Sequence, residues 1–261
     1  MGILDKIISA KKDRIKNQKK ILSLESLKNK KLIYDNFFPL ENLLNSKNIL
    51  ISEMKRQSPS GGSLDQDLDP KEQAEMYIRS GSDAISVLTE EDFFKGHNND
   101  LNKVLKNSKN KKVPVLQKDF IIDEYQIYLA KNLGADCILL ITRILSREQY
   151  IDFYKLASSI GLSVIVEIFD QKELDFALET DIKILGINNR NLDTLKTELE
   201  NFEKISTLVP GNIFKIAESG IKNSLDAKRM IEAGANGLLV GESIMRSKDR
   251  TKIIKEISLN E

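Results

Sequence analysis

The sequence predicts an α/β chain folded as a (β/α)8 TIM barrel with an N-terminal helical extension. Three observations carry that prediction: short apolar runs recur eight times, amphipathic segments separate them, and several of those segments end in a glycine turn just before the next run. Strands buried on both faces of a parallel sheet require near-continuous apolar character rather than strict alternation. Eight such units joined by right-handed crossovers close most simply into a barrel, a fold that typically runs to about 250 residues. The chain has 261. An open doubly wound sheet is the alternative topology.

Residues 1–48 precede the first run and form the predicted extension. Within it Ile3, Leu4, Ile7, Ile8 and Ile15 recur at helical spacing, which predicts one stripe packed on the body, with Lys11, Lys12, Lys19 and Lys20 on other faces. No Gly/Ser linker follows, so residues 1–261 read as a single barrel domain with the extension packed on it. The predicted strands are Ile49 to Ile51, Ala84 to Leu88, Val113 to Leu116, Cys137 to Ile141, Val164 to Val166, Ile184 to Ile187, Ile213 to Ile216 and Gly237 to Val240. Between them Tyr125, Ile127, Tyr128, Ala130 and Leu133, and later Ala227, Met230, Ile231 and Ala233, have helical periodicity. The tetrads Ser80-Gly81-Ser82-Asp83, Leu133-Gly134-Ala135-Asp136 and Ala233-Gly234-Ala235-Asn236 supply left-handed turns that send the chain back into the barrel.

Composition excludes several classes of function. Lys and Arg number 40 against 39 Asp and Glu, a net charge of +1, which gives no basic field for nucleic acid. One His (His97) and one Cys (Cys137) cannot form an intramolecular disulfide or a His/Cys metal cluster, so no metal is expected. No window approaches the roughly 18 apolar residues of a membrane span, and the start lacks a signal-peptide core. A soluble cytoplasmic protein is expected.

In this fold chemistry sits where strands end and their loops begin. The first strand is followed by Glu53, Lys55 and Ser58, the third by Lys118 and Asp119, the fourth by Arg143, and the fifth by Glu167. The sixth delivers Asn188, Asn189 and Arg190, the seventh Glu218, Ser219 and Gly220, and the eighth Gly241, Glu242 and Ser243. Polar residues end strands in any protein, but acids and cations from this many strands converge on one mouth. The last two loops have the small residues with which barrels commonly hold phosphate, glycine letting backbone N–H groups approach. From these residues alone an aldolase, a sugar-phosphate isomerase or a non-catalytic phosphate-binding module remains an alternative; the last would not need Lys118 and Glu167 together.

The segments SEMKRQSPSGG (52–62), AISVLTEEDFFKG (84–96), PVLQKDFIIDEYQI (114–127), IVEIFDQKEL (165–174), GINNRNLDTL (186–195), AESGI (217–221) and LLVGESIMR (238–246) resemble, in order and over nearly the whole barrel, indole-3-glycerol phosphate synthases. The resemblance implies ring closure of 1-(2-carboxyphenylamino)-1-deoxyribulose 5-phosphate with loss of carbon dioxide and water, without a cofactor. It implies Lys118 as general acid and Glu167 as base or dehydration partner, with Lys55, Glu53 and Asn188 completing the catalytic group. Arg190 and Lys55 would meet the anionic substrate. Phe94, Phe120 and Leu139 would wall the anthranilate ring, Ser58, Gly220, Gly241, Glu242 and Ser243 would hold the phosphate, Glu242 only through its backbone N–H, and Glu218 and Ser219 would join the substrate-binding set. Neighbouring cations are expected to depress the Lys118 pKa. Whether Lys55 or Lys118 gives the second proton stays open. The run KGHNND (95–100) departs from the family pattern and puts His97 in a loop without an assigned role. The partner expected is a small anionic substrate, with no nucleic acid and no membrane, the chain acting as a monomer or with other tryptophan-pathway enzymes.

Overall fold

A computed structural model describes residues 2–32 and 36–258, so Met1 and residues 33–35 of the predicted extension, and the last three residues of the predicted domain, lie outside the described residues. Eight parallel strands close into a barrel: β1 (Ile49–Met54), β2 (Ala84–Leu88), β3 (Val115–Lys118), β4 (Cys137–Ile141), β5 (Ser163–Ile168), β6 (Ile184–Asn188), β7 (Phe214–Glu218) and β8 (Gly237–Val240). Each pairs with its sequence neighbours, and β8 returns to β1 with Ile49 opposite Gly237. Closure rules out the open doubly wound sheet.

The strands differ from the predicted runs mainly at their ends. β3 starts after Pro114, which has no N–H to give a ladder. β1, β5, β6 and β7 run on to include Glu53, Glu167, Asn188 and Glu218. Side chains alternate along a strand, and these polar residues keep the inward parity of Ile51, Ile165, Ile184 and Ile216 below them. Polar side chains in the top inward layer interrupt the apolar pattern while the ladder continues, which is why the sequence reading stops short.

The three glycine tetrads do more than turn the chain. Gly81, Gly134 and Gly234 have φ of 105°, 94° and 94°, and the residue two places on reaches the neighbouring strand. Asp83 accepts the Leu50 N–H at 2.9 Å, Asp136 the Val115 N–H at 3.0 Å, and Asn236 the Lys215 N–H at 2.8 Å. Each thereby satisfies an amide at the strand's entry that has no ladder partner.

Outside the barrel lie helices α1 (Ile3–Ile21), α2 (Leu24–Asn29), α3 (Leu40–Leu44), α4 (Pro70–Ser80), α5 (Asn98–Ser108) and α6 (Glu124–Leu133). The second half adds α7 (Arg147–Ser159), α8 (Gln171–Ala177), α9 (Glu200–Ser206), α10 (Ser224–Glu232), α11 (Glu242–Arg246) and α12 (Arg250–Ile257). The extension reaches both ends of the barrel. Ile3, Leu4 and Ile7 of α1 cover the mouth, while Leu40 and Leu44 of α3 join the inward-facing strand residues at the opposite end. Lys11 does not lie off the apolar stripe as predicted: it falls one turn after Ile7 and one before Ile15, on the same buried face, and is 3% exposed. His97 caps α5, its Nδ1 accepting the Asn99 N–H at 3.0 Å. Among the described residues no helix is long and apolar enough to cross a membrane, and no group of acids, His and Cys is arranged to hold a metal ion.

Candidate active site

A cavity of about 430 Å3 opens at the carboxyl ends of the strands. All sixteen residues singled out for catalysis or binding line it: Glu53, Lys55, Ser58, Phe94, Lys118, Phe120, Leu139, Glu167, Asn188, Arg190, Glu218, Ser219, Gly220, Gly241, Glu242 and Ser243. The geometry rearranges several of the expected relations among them.

Lys118 does not pair with Asp119 or Glu53. Its Nζ lies 2.9 Å from Glu218 Oε2 and 3.4 Å from Glu167 Oε2. Its pKa is not depressed either. Burial pulls it down, but the charges of Glu218, Glu167 and Glu53 outweigh burial and hold the ammonium well above the usual lysine range. The expectation overlooked how many carboxylates the inward parity of β1, β5 and β7 brings to one ammonium.

Glu218, expected among the substrate-binding residues, lines the same cavity. It sits in the acid–base cluster, and its Oε1 is buried with no hydrogen-bond partner. Burial, reinforced by the Glu167 charge and only partly offset by Lys118, pushes its carboxyl up to about 8. Room for it comes from Gly186 on the adjacent strand, where a Cβ would stand 2.2 Å from Glu218 Oε1. The sequence signal was available: Glu218 ends β7 with the same parity as Glu167 on β5.

The other polar groups are held by specific contacts. Asn188 donates to Glu167 Oε1 at 3.1 Å and accepts the Arg190 N–H at 2.9 Å, so one side chain orients both. Lys55 Nζ is 2.6 Å from Glu53 Oε1. Burial disfavours the Glu53 charge, but Lys55 and Lys118 more than compensate and keep its pKa below the ordinary value. Arg190 Nη2 and Arg246 Nε hold Glu242 at 3.1 and 3.0 Å, which neutralises the carboxylate expected to repel an anion. Arg190 also contacts Ser60, and Arg246 donates to Gly61 O at 2.5 Å, fastening the hairpin formed by residues 57–58 and 62–63.

The phosphate-loop candidates form one rim. Ser219 and Gly220 take φ of 64° and 87°, and Ser243 Oγ donates to Ile221 O at 2.8 Å. Ser58 Oγ accepts the Gly61 N–H at 2.9 Å. Across the cavity Phe94 and Phe120 have ring centroids 6.1 Å apart, and the buried Glu90 fixes the loop bearing Phe94 by accepting the N–H groups of Asp92, Phe93 and Phe94. Three other residues named from strand ends fall elsewhere or play another part. Arg143 binds Glu173 at 2.6 Å and Asp193 at 2.9 Å, outside the cavity lining. Asn189 braces the scaffold, donating to Ser219 O and accepting from Phe202 N. Asp119 lines the cavity but pairs with Lys11. The sequence reading gave no site role to Lys222 or Arg246, which also line it.

Residues 4–257 match the family model described as indole-3-glycerol phosphate synthase. The chain is 41% identical to an indole-3-glycerol phosphate synthase from Lachnoclostridium phytofermentans, covering 98% of each chain. It is 43% identical to one from Clostridium kluyveri, covering 94% of this chain and 93% of that one. Among solved structures, 3-hexulose-6-phosphate synthase from Salmonella typhimurium superposes with a TM-score of 0.64 at 15% identity, covering 80% of this chain and 96% of the other. Thiamine phosphate pyrophosphorylase from Pyrococcus furiosus gives 0.62 at 18% identity, covering 83% and 96%. These two likenesses concern the fold alone.

Proposed function

The chain belongs to the indole-3-glycerol phosphate synthase family, and we propose from its cavity how its residues divide that reaction. The activity is the ring closure of 1-(2-carboxyphenylamino)-1-deoxyribulose 5-phosphate to indole-3-glycerol phosphate, a decarboxylating lyase step of tryptophan biosynthesis. The observation that carries the assignment of roles is Lys118 Nζ held between Glu167 and Glu218 in the cavity that Phe94 and Phe120 also line.

In the first step the arene carbon bearing the carboxylate attacks the C2 carbonyl, and Lys118 gives its proton to the carbonyl oxygen. An ammonium held above its normal pKa is a poor acid toward water, yet it suffices for an oxygen that is becoming an alkoxide. The carboxylate leaves as carbon dioxide, and its bonding electrons restore the aromatic ring. A second proton transfer expels the C2 hydroxyl as water, while a carboxylate takes the proton lost in forming the indole double bond. Glu167, oriented by Asn188, is the base. Glu218 keeps the opposite face of Lys118 occupied and serves as its proton reservoir.

Arg190 and Lys55 receive the substrate's negative groups, the planar guanidinium suiting a carboxylate and the compact ammonium fitting between carboxylate and phosphate. Ser58 and the N–H groups of Gly220, Gly241, Glu242 and Ser243 take the phosphate, with Ser219 shaping the turn. Phe94, Phe120 and Leu139 hold the anthranilate ring. The same proposal treats the chain as one domain whose extension completes the site, located in the cytoplasm and acting as a monomer or with other tryptophan-pathway enzymes. Incubating the purified protein with the substrate should produce indole fluorescence, which Lys118→Ala should remove. Fluorescence at the wild-type rate in that variant would refute the assignment of the acid.

A further inference from the structure

Five carboxylates and five cationic side chains line the cavity. Four of the carboxylates find their partners within that lining: Glu53 with Lys55, Glu167 and Glu218 with Lys118, and Glu242 with Arg190 and Arg246. Asp119 differs. Its cation is Lys11, brought from α1 to 2.7 Å from Oδ1, with the two side chains 4% and 8% exposed. Thr89 Oγ1 and the Phe120 N–H also bind this carboxylate, each at 2.7 Å, so its place in the cavity wall is fixed.

We propose that Lys11 is a specificity-determining residue for the anionic substrate, acting through Asp119 as the counter-charge that keeps this carboxylate from repelling the ligand. The inference rests on the substrate proposed above. A ligand carrying a carboxylate and a phosphate meets a cavity whose other four carboxylates are each held by a cation of the lining, so a bare carboxylate in the wall opposes it. The helix that covers the mouth thus contributes a charge as well as an apolar surface.

The test measures kcat, KM and the salt dependence of KM in Lys11→Met, Lys11→Arg and Lys11→Met combined with Asp119→Asn, with thermal melts as the record of folding. Lys11→Met should raise KM by about tenfold at low salt, less at high salt, because screening weakens the repulsion. Lys11→Arg should restore KM, and so should the double variant, which has neither charge. An unchanged KM in Lys11→Met alongside a lower melting temperature would overturn the proposal and leave the pair a fastening for α1. A double variant with KM no better than Lys11→Met would overturn it as well. Should Lys11→Met fail to fold, Asp119→Asn alone decides: KM no higher than wild type supports the proposal, and a tenfold rise refutes it. Lys118→Ala distinguishes failure of the underlying site assignment, since that variant loses kcat whatever Lys11 does.

Discussion

The two ends of the barrel use the same residue types to opposite effect. At the amino ends of the strands Asp136 accepts from Lys109 Nζ at 2.5 Å and from the Phe38 and Val115 N–H groups at 2.9 and 3.0 Å. Ser163 Oγ there receives the Leu40 N–H at 3.0 Å and contacts Glu41. Donors surround the buried carboxylate at this end. At the carboxyl ends Glu218 and Glu167 share one ammonium, and a buried Glu218 oxygen has no partner. Satisfied buried charge fixes geometry; unsatisfied charge costs stability and persists where chemistry uses it. The extension serves both ends, with α3 filling the bottom and α1 covering the top.

If that contrast is right, the largest effect comes from removing the shared ammonium. Lys118→Ala should lower kcat by about 10²–10⁴-fold, the usual contribution of a positioned general acid, with little change in substrate affinity. Steady-state and single-turnover kinetics check this, and a variant retaining more than about a tenth of wild-type kcat would break the comparison at its functional end.

Asp136→Ala probes the other end. It strands the buried Lys109 ammonium and two backbone N–H groups, so a loss of about 3–5 kcal/mol of stability is expected by denaturant titration. The folded fraction should retain wild-type kcat, because none of these partners lines the cavity. A stable Asp136→Ala with impaired turnover would reverse the roles assigned to the two ends.

How much of this was legible in the sequence follows from the same contrast. The eight apolar runs locate every strand of the barrel because both strand faces are buried, and the glycine tetrads mark where three strands begin. Their Asp or Asn looked like turn chemistry; its reach to the next strand depends on register, which local spacing does not contain. At the mouth the strand-end residues were readable as a set, but their pairing was not. Lys118 stands next to Asp119 in sequence, yet it is the last residue of β3 and Asp119 opens the loop that follows, so the neighbour binds Lys11 and Lys118 binds acids 49 and 100 residues away. Lys11 was placed off the apolar stripe, lysines being rarely buried unless paired, and its partner lies on β3's following loop, 108 positions on by residue number.

Truncations sharpen the division of the extension. Removing residues 1–22 takes away α1 and should raise KM and lower kcat by about tenfold each, since water then enters the site, while the barrel still folds. A cut extending through residue 44 also removes Leu40 and Leu44, 1% and 5% exposed against the inward-facing strand residues at the bottom of the barrel. Each large apolar side chain lost from a core costs about 2–5 kcal/mol, so this longer deletion should not give a cooperatively folded protein. Circular dichroism and kinetics on the pair check both. Unchanged kinetics in the shorter deletion would make α1 a passenger.

The smallest expected effect concerns the proton on Glu218. Its carboxyl rises from an ordinary value of 4.5 to about 8 in the fold, chiefly through burial, so the native state favours the protonated form. A raised folded pKa gives a contribution that is complete below the unfolded value and lost as pH climbs through the folded one. Wild-type stability from this group should therefore be whole near pH 4 and decline toward about pH 8, the window set by those two values. Glu218→Gln carries a neutral amide of the same shape and does not titrate. The difference in melting temperature between variant and wild type should consequently grow in the variant's favour between those limits, by about 2–4 °C for each kcal/mol involved in a chain of this size. Melts of both proteins at several pH values read it directly. Parallel curves would mean that burial does not raise the Glu218 carboxyl in the fold, and the contrast between the two ends would then rest on Lys118 alone.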